Sequence, residues 1–244
     1  MKKIILLLAF CLSVGNLFAQ DANADKLREE GDAAMTAKNY PEVVAKYSEY
    51  LKLTNYEDES RIFNCAFAAY NAKKYDDAIK FYDMAIQKGY KADDAYVGKA
   101  MSLRSQDKAA DFTATVEAGL KANAQNANLE KLLYAYCMKK GQAAQKAGKT
   151  AEAEELFKDV LVVGNAKYKG NALYSLGVMF YNAGAKILAD ANPIATSDPD
   201  KYAAEKKKAD AQMAKAKGYL EQAVALNAAD ANSKKILDAI NATK

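Results

Sequence analysis

Residues 75–86 read YDDAIKFYDMAI, and a kindred phrase, YPEVVAKYSEYL, occupies residues 40–51. Each opens on a tyrosine, passes through turn-favouring or acidic residues and a small apolar pair, and reaches a second aromatic. At helical spacing Ala78, Tyr82 and Ala85 share one face, as do Val43, Tyr47 and Tyr50 in the other copy. Such a helix must lie closely against a neighbour. A phrase written twice in one chain points to an array, provided that the interval between copies is regular.

The interval is regular. Before the second phrase, RIFNCAFAAYNAKK forms another helix, in which Ala66 precedes Tyr75 by nine positions, and Gly31 precedes Tyr40 by the same nine. From Gly31 to Ala66 is 35 residues and from Ala66 to Ala100 is 34. This spacing resembles the tetratricopeptide repeat, a helix-turn-helix unit of about 34 residues. Laid on the family's W-x2-L-G-x2-Y…A-x3-F pattern, the first copy offers Leu27, Gly31, Val43 and Tyr47, and the second offers Ile62, Ala66, Ala78 and Tyr82. The third has Tyr96, Ala100, Leu103 and Val116. The fourth has Gly141, Ala153 and Phe157, its first helix starting early, from about Asn128. The fifth has Leu173, Leu176, Gly177 and Phe180 in order. No copy carries the family's Trp or terminal Pro. The triplet Tyr70-Asn71-Ala72 returns as Tyr181-Asn182-Ala183 in matching register.

The resemblance covers nearly all of residues 22–228. It implies an all-α fold, a right-handed superhelical stack of about five helix pairs in one domain over residues 20–244. Gly or Ala at the close crossing lets the first helix approach the second, and pairs stack because one pair cannot bury its own apolar face. The last repeat departs from the pattern. After a helix near 168–188 comes NPIATSDPD, then an uninterrupted run from Pro199 to Leu226. Asp198-Pro199 marks its start. As one helix of 28 residues it would be about 42 Å long and project from the stack, with Ala216, Leu220 and Ala223 filling the second-helix slots. Residues 230–243 fit a C-terminal capping helix.

The start of the chain, MKKIILLLAFCLSVGNLFAQ, joins Lys2 and Lys3 to an apolar run and then to Leu17-Phe18-Ala19. This reads as a signal peptide over residues 1–19, cleaved near Ala19/Gln20, which places the mature protein in the periplasm or outside the cell. The apolar run is short for a spanning helix. A lipid anchor on Cys11 is disfavoured by the bulky Phe10 before it. Without residues 1–19 the net charge of +4 loses two lysines and no acids, leaving +2. Lysines and acids interleave along the helices, so no nucleic-acid footprint is present.

With no histidine in the chain, the commonest general base, the His-assisted nucleophiles and the usual zinc ligand are absent. No glycine-rich phosphate loop occurs. The pairs Asp76-Asp77 and Asp93-Asp94 fall at helix starts, where capping is their expected role. The chain therefore reads as no enzyme, without cofactor or metal. Cys65 and Cys137 lie on the first helices of the second and fourth repeats, too far apart to bridge when helices pack about 8–10 Å from one another. They are expected as buried thiols.

The resemblance further implies a protein or peptide partner held in a concave groove lined by first helices. The candidates are Phe63, Phe67, Tyr70 and Asn71 in the second repeat, Val97, Met101 and Arg104 in the third, Met138 in the fourth, and Tyr174, Val178, Tyr181 and Asn182 in the fifth. They share helical faces turned away from each repeat's own second helix. The competing reading is that this stripe packs between repeats. The family's carboxylate clamp is not reproduced, Arg28, Asn64 and Arg104 only hinting at it. Two other functions fit the same residues less well: an envelope carbohydrate binder stacking sugars on Phe67, Tyr70, Tyr174 and Tyr181, and a membrane-tethered assembly factor that keeps its leader. The partner's identity and the oligomeric state are not written in the sequence.

Overall fold

The computed structural model describes residues 22–242, and the expected leader over residues 1–19 lies outside them. The regular elements among the described residues are helices. They are α1 (22–36), α2 (Tyr40–Leu53), α3 (Glu59–Asn71), α4 (Tyr75–Lys88), α5 (Ala92–Ser105), α6 (Ala109–Ala122), α7 (Ala127–Lys146), α8 (Thr150–Asp159), α9 (Ala166–Ala191), α10 (Pro199–Leu226) and α11 (Ala231–Ala242). Short 3-10 turns occupy Val160–Val162 and Asn192–Ile194. Consecutive helices form antiparallel pairs. The pairs gather into two compact halves, one ending at Gly119 and the other beginning at Leu120.

In the first half α3 packs on α2, α4 and α5, and α4 also packs on α5. Val43, Tyr47, Leu51, Ile62, Ala78 and Tyr82 fill the space between them and are buried. The expected pairing of a small slot on the first helix with a large slot on the second is met directly. A β-carbon added to Gly31 would run into the Tyr47 ring. In the second half, one added to Gly141 would come within 2.6 Å of the Phe157 ring, and one added to Gly177 within 2.5 Å of Leu220. The third repeat differs. Its space-making glycine is Gly98, beneath the ring of Tyr82 from the preceding helix pair, while Ala100 is simply buried. Because α4 lies against both α3 and α5, its tyrosine needs a recess in the helix that follows.

The first helices of four repeats end in one device. Lys38, Lys73, Asp107 and Gly148 all adopt positive φ, between 56° and 75°. The next amide donates to a carbonyl five residues back: Asn39 to Ala34, Lys74 to Ala69, Lys108 to Leu103 and Lys149 to Ala144. This six-to-one closure satisfies carbonyls that the helix end leaves open, and the left-handed residue turns the chain directly into the second helix. Glycine occupies only one of the four positions.

The acidic pairs lie in the first turns of α4 and α5, as expected, but not at the cap position itself. The residues before α4 and α5 are Lys74 and Lys91, and neither makes a side-chain cap. Asp76 instead accepts from Gln106 Nε2 at 2.9 Å and Lys108 Nζ at 3.4 Å, tying the start of α4 to the turn after α5. Side-chain caps come from Asp58, Asn126, Asn165 and Asp198, which precede α3, α7, α9 and α10.

The second half carries the long elements. α9 has 26 residues and α10 has 28, matching the length expected for the latter. The two form a hairpin, so the inserted run of α10 does not project alone. Gly184 permits their approach, since a β-carbon there would sit 3.1 Å from the carbonyl oxygen of Ala209. Ala191, Ala209 and Met213 are buried along this extension. α11 packs on α10 and α9 and buries Ile240 against them, as a terminal cap requires.

Candidate functional site

On α3, steps of four and three residues bring Phe63, Phe67 and Tyr70 to one face. The entry to α3 is fixed by a polar cluster. Asp58 accepts from the Arg61 amide at 3.0 Å and from the Tyr50 hydroxyl at 3.0 Å. Arg61 forks onto Asp32 of α1, with Nη2 at 2.7 Å from Oδ2 and Nε at 3.3 Å from Oδ1, and Tyr47 donates to the same Oδ1 at 2.5 Å. Burial alone would raise the Asp32 pKa, but the hydrogen bonds from Arg61 and Tyr47 together outweigh it and hold the carboxyl below its ordinary value. Burial and the Asp32 bond push the Tyr47 phenol upward. Three helices are thereby held in one register.

The stripe this register presents is split. Phe67 is 43% exposed and makes a T-shaped contact with Tyr40, at 6.0 Å between centroids. Asn71 is also exposed, its amide donating to the Phe67 carbonyl at 2.8 Å. Phe63 and Tyr70 do not turn away from their own second helix, contrary to the sequence expectation. Phe63 lies edge-on to Tyr82 of α4 at 5.8 Å, and Tyr70 lies 5.9 Å from Tyr75, the first residue of α4. A ring on a flanking position is long enough to reach around the helix, and the second helix begins with tyrosine at that point. Lys91 Nζ stands 5.1 Å over the Phe63 ring. On α5, Val97 and Met101 are half-buried and Arg104 is exposed.

In the second half, Met138, Tyr174 and Tyr181 are half-buried and pack on the core that contains Phe157, Leu176 and Leu220. Val178 is half-buried and Asn182 exposed. Tyr174 borders a cleft of about 470 Å³ with Asn171, Leu226 and Asp230. Glu130 of α7, itself buried, accepts from the amides of Gly164 at 2.5 Å and Asn165 at 3.0 Å and so fixes the start of α9. None of the twelve candidates is among the fully buried side chains. The sequence reading missed Tyr40, and it missed the stacked pair Tyr134 and Tyr168, 4.3 Å apart and inclined by 12°. Asn171 donates to the Tyr134 hydroxyl at 2.8 Å. Both lie in the N-terminal half of a first helix, Tyr134 two turns into α7 and Tyr168 in the first turn of α9.

Among the described residues no group of three or more Cys, Asp or Glu side chains is placed to hold a metal ion, and no helix is long and apolar enough to cross a membrane. Cys65 and Cys137 are unbridged and buried. Burial pushes both thiols up to about 12.

No family model matches the chain. A TPR repeats protein from Bacteroides fragilis, known from its crystal structure, is 44% identical, with a TM-score of 0.84 over 91% of this chain and 99% of its own. Among curated proteins, the Hsp70-Hsp90 organizing protein 1 of Glycine max is 30% identical over 154 residues, which is 60% of this chain and 26% of that protein. The Hsp70-Hsp90 organizing protein of Triticum aestivum is 27% identical over 161 residues, 63% of this chain and 26% of its own. The chain thus spans about a quarter of the length of the curated relatives it matches.

Proposed function

Since the chain belongs to the tetratricopeptide repeat family, we propose that it is an exported, non-catalytic adaptor that holds a protein or peptide against the first helices of its repeats. The observation that carries this reading is Phe67. A large aromatic side chain left 43% exposed on a helix whose neighbours are pinned by the Asp32–Arg61–Tyr47 cluster is a rigid anchor of the kind interfaces use. Exposed Asn71, one turn further along α3, supplies a polar group beside it, and Arg104 of α5 is exposed as well. The curated relatives are named as organizing proteins for Hsp70 and Hsp90. That naming supports protein binding as the class of function, with the partner of this chain to be found by experiment.

Export rests on the leader-like residues 1–19. A mature chain beginning at Gln20, seen by intact mass of the protein purified from its native cell, supports it; retained residues 1–19 would overturn it, and a lipid on Cys11 would replace cleavage near Ala19/Gln20 with a membrane tether. For the binding face, a photo-crosslinking amino acid is placed at position 67 or, in a separate variant, at exposed position 80 on α4. The reading expects a defined protein adduct from position 67 and none from position 80. Equal labelling from both, or none from 67, contradicts it.

A further inference from the structure

A second site lies away from the first-helix stripe, in the extension that α9 and α10 add to the last repeat. There a cleft of about 620 Å³ opens between the end of α9, the middle of α10 and the end of α11, a volume within the usual range for small-molecule sites. Its apolar walls are the half-buried Leu188 and the largely buried Met213 and Ile240, one from each helix. Its polar groups stand mainly on α10, where Tyr202, Lys206 and Lys217 line it on one side of the helix.

The charges are uneven. Asp210 is the acidic residue of the lining, and it is committed to Lys206 at 2.9 Å. Among the described residues Lys217 pairs with Glu221 at 3.7 Å and donates to Asn241 Oδ1 at 3.4 Å, both long contacts. The cleft therefore offers an apolar bed with one cation whose charge is weakly engaged at its side. A small inorganic anion would leave the bed in water, and a neutral hydrocarbon would leave the lysine unused. Lysine stems can lie along such a bed while the ammonium meets a headgroup. Methionine suits a flexible tail, because its own unbranched side chain adapts to the shape beside it. We propose that this cleft binds a medium-chain fatty acid, with the alkyl chain against Leu188, Met213 and Ile240 and the carboxylate at Lys217. The site is independent of the protein-binding face proposed above.

Decanoate is the probe, with decanol as the equally apolar partner lacking the charge, and binding is followed by calorimetry below the aggregation concentration of either. The proposal expects saturable one-to-one binding of decanoate, about tenfold tighter than decanol, equivalent to about 1.4 kcal/mol. Lys217→Gln should remove that difference while leaving decanol binding unchanged. Ala214, an exposed residue that also lines the cleft, gives the steric test: Ala214→Trp should abolish binding of both, and Ala214→Leu, the milder variant that keeps the test valid should the Trp variant fail to fold, should weaken binding of both. Phe67→Ala should change none of these values. Absence of saturable decanoate binding, equal affinity for decanoate and decanol, or wild-type affinity in both Ala214 variants would each overturn the proposal.

Discussion

Gly31 and Asp32 are neighbours with opposite tasks. Gly31 removes a side chain so that Tyr47 can lie against α1, and Asp32 receives the hydroxyl of that same tyrosine. The ring is buried and tethered, so it cannot yield to an added methyl group. Gly31→Ala is expected to destabilise the fold by about 1–3 kcal/mol in urea denaturation; a wild-type midpoint would mean that the crossing is looser than described. For Asp32, the folded pKa lies below the ordinary carboxylate value because the bonds from Arg61 and Tyr47 outweigh burial. Its stabilising contribution is therefore full above about pH 4 and is lost as pH falls through the folded value. Asp32→Asn should flatten the decline in melting temperature between about pH 5 and pH 2.5. An unchanged decline would assign acid sensitivity to other carboxylates. The Gly31–Tyr47 contact could be read from repeat spacing alone. The Asp32–Arg61 pair could not, since the partners are 29 residues apart and neither belongs to the repeat pattern.

The elements show where periodicity informs and where it fails. Helix lengths were legible because apolar spacing continues until a residue interrupts it: α10 begins with Asp198 capping and Pro199 in the first turn, as the sequence indicates. At α4 and α5 the acids sit in the first turn as the sequence indicates, but the reach of Asp76 to the next repeat was not legible, because a first-turn acid is compatible with either role. The left-handed turn was not read at all. Lys38, Lys73 and Asp107 hide it, since glycine is the residue that announces such a turn. Holding a side chain at positive φ costs stability, partly offset by the extra freedom glycine would have in the unfolded chain. Lys73→Gly should thus raise stability modestly, by about 0.5–1 kcal/mol. A loss of that size in thermal denaturation would show that the Lys73 side chain contributes more than its backbone strain costs.

For the whole molecule, the stacking of helix pairs was legible because five weak copies agree in spacing, whereas the exposure of any one aromatic depends on neighbours that spacing does not identify. Phe63, Phe67 and Tyr70 look equivalent on a helical wheel. Only the fold separates Phe67, exposed, from the two rings that reach α4. The thiols follow the simpler rule that small apolar residues fill a helical core. Cys65 and Cys137, raised to about 12 by burial, should resist alkylation in the native protein at about pH 8 and both react after denaturation without reductant. A denatured monomer with no reactive thiol would require a disulfide and a different arrangement of the repeats. The central claim, that an exposed first-helix face recognises the partner while the second-helix aromatics hold the stack, is tested most directly by measuring melting and partner binding together in Phe67→Ala and Tyr82→Ala. The account predicts that Phe67→Ala loses the partner captured from position 67 while its stability stays within about 1 kcal/mol of wild type, and that Tyr82→Ala loses about 3–5 kcal/mol. Equal destabilisation by the two substitutions, or a stable Phe67→Ala protein that binds as well as wild type, would contradict it.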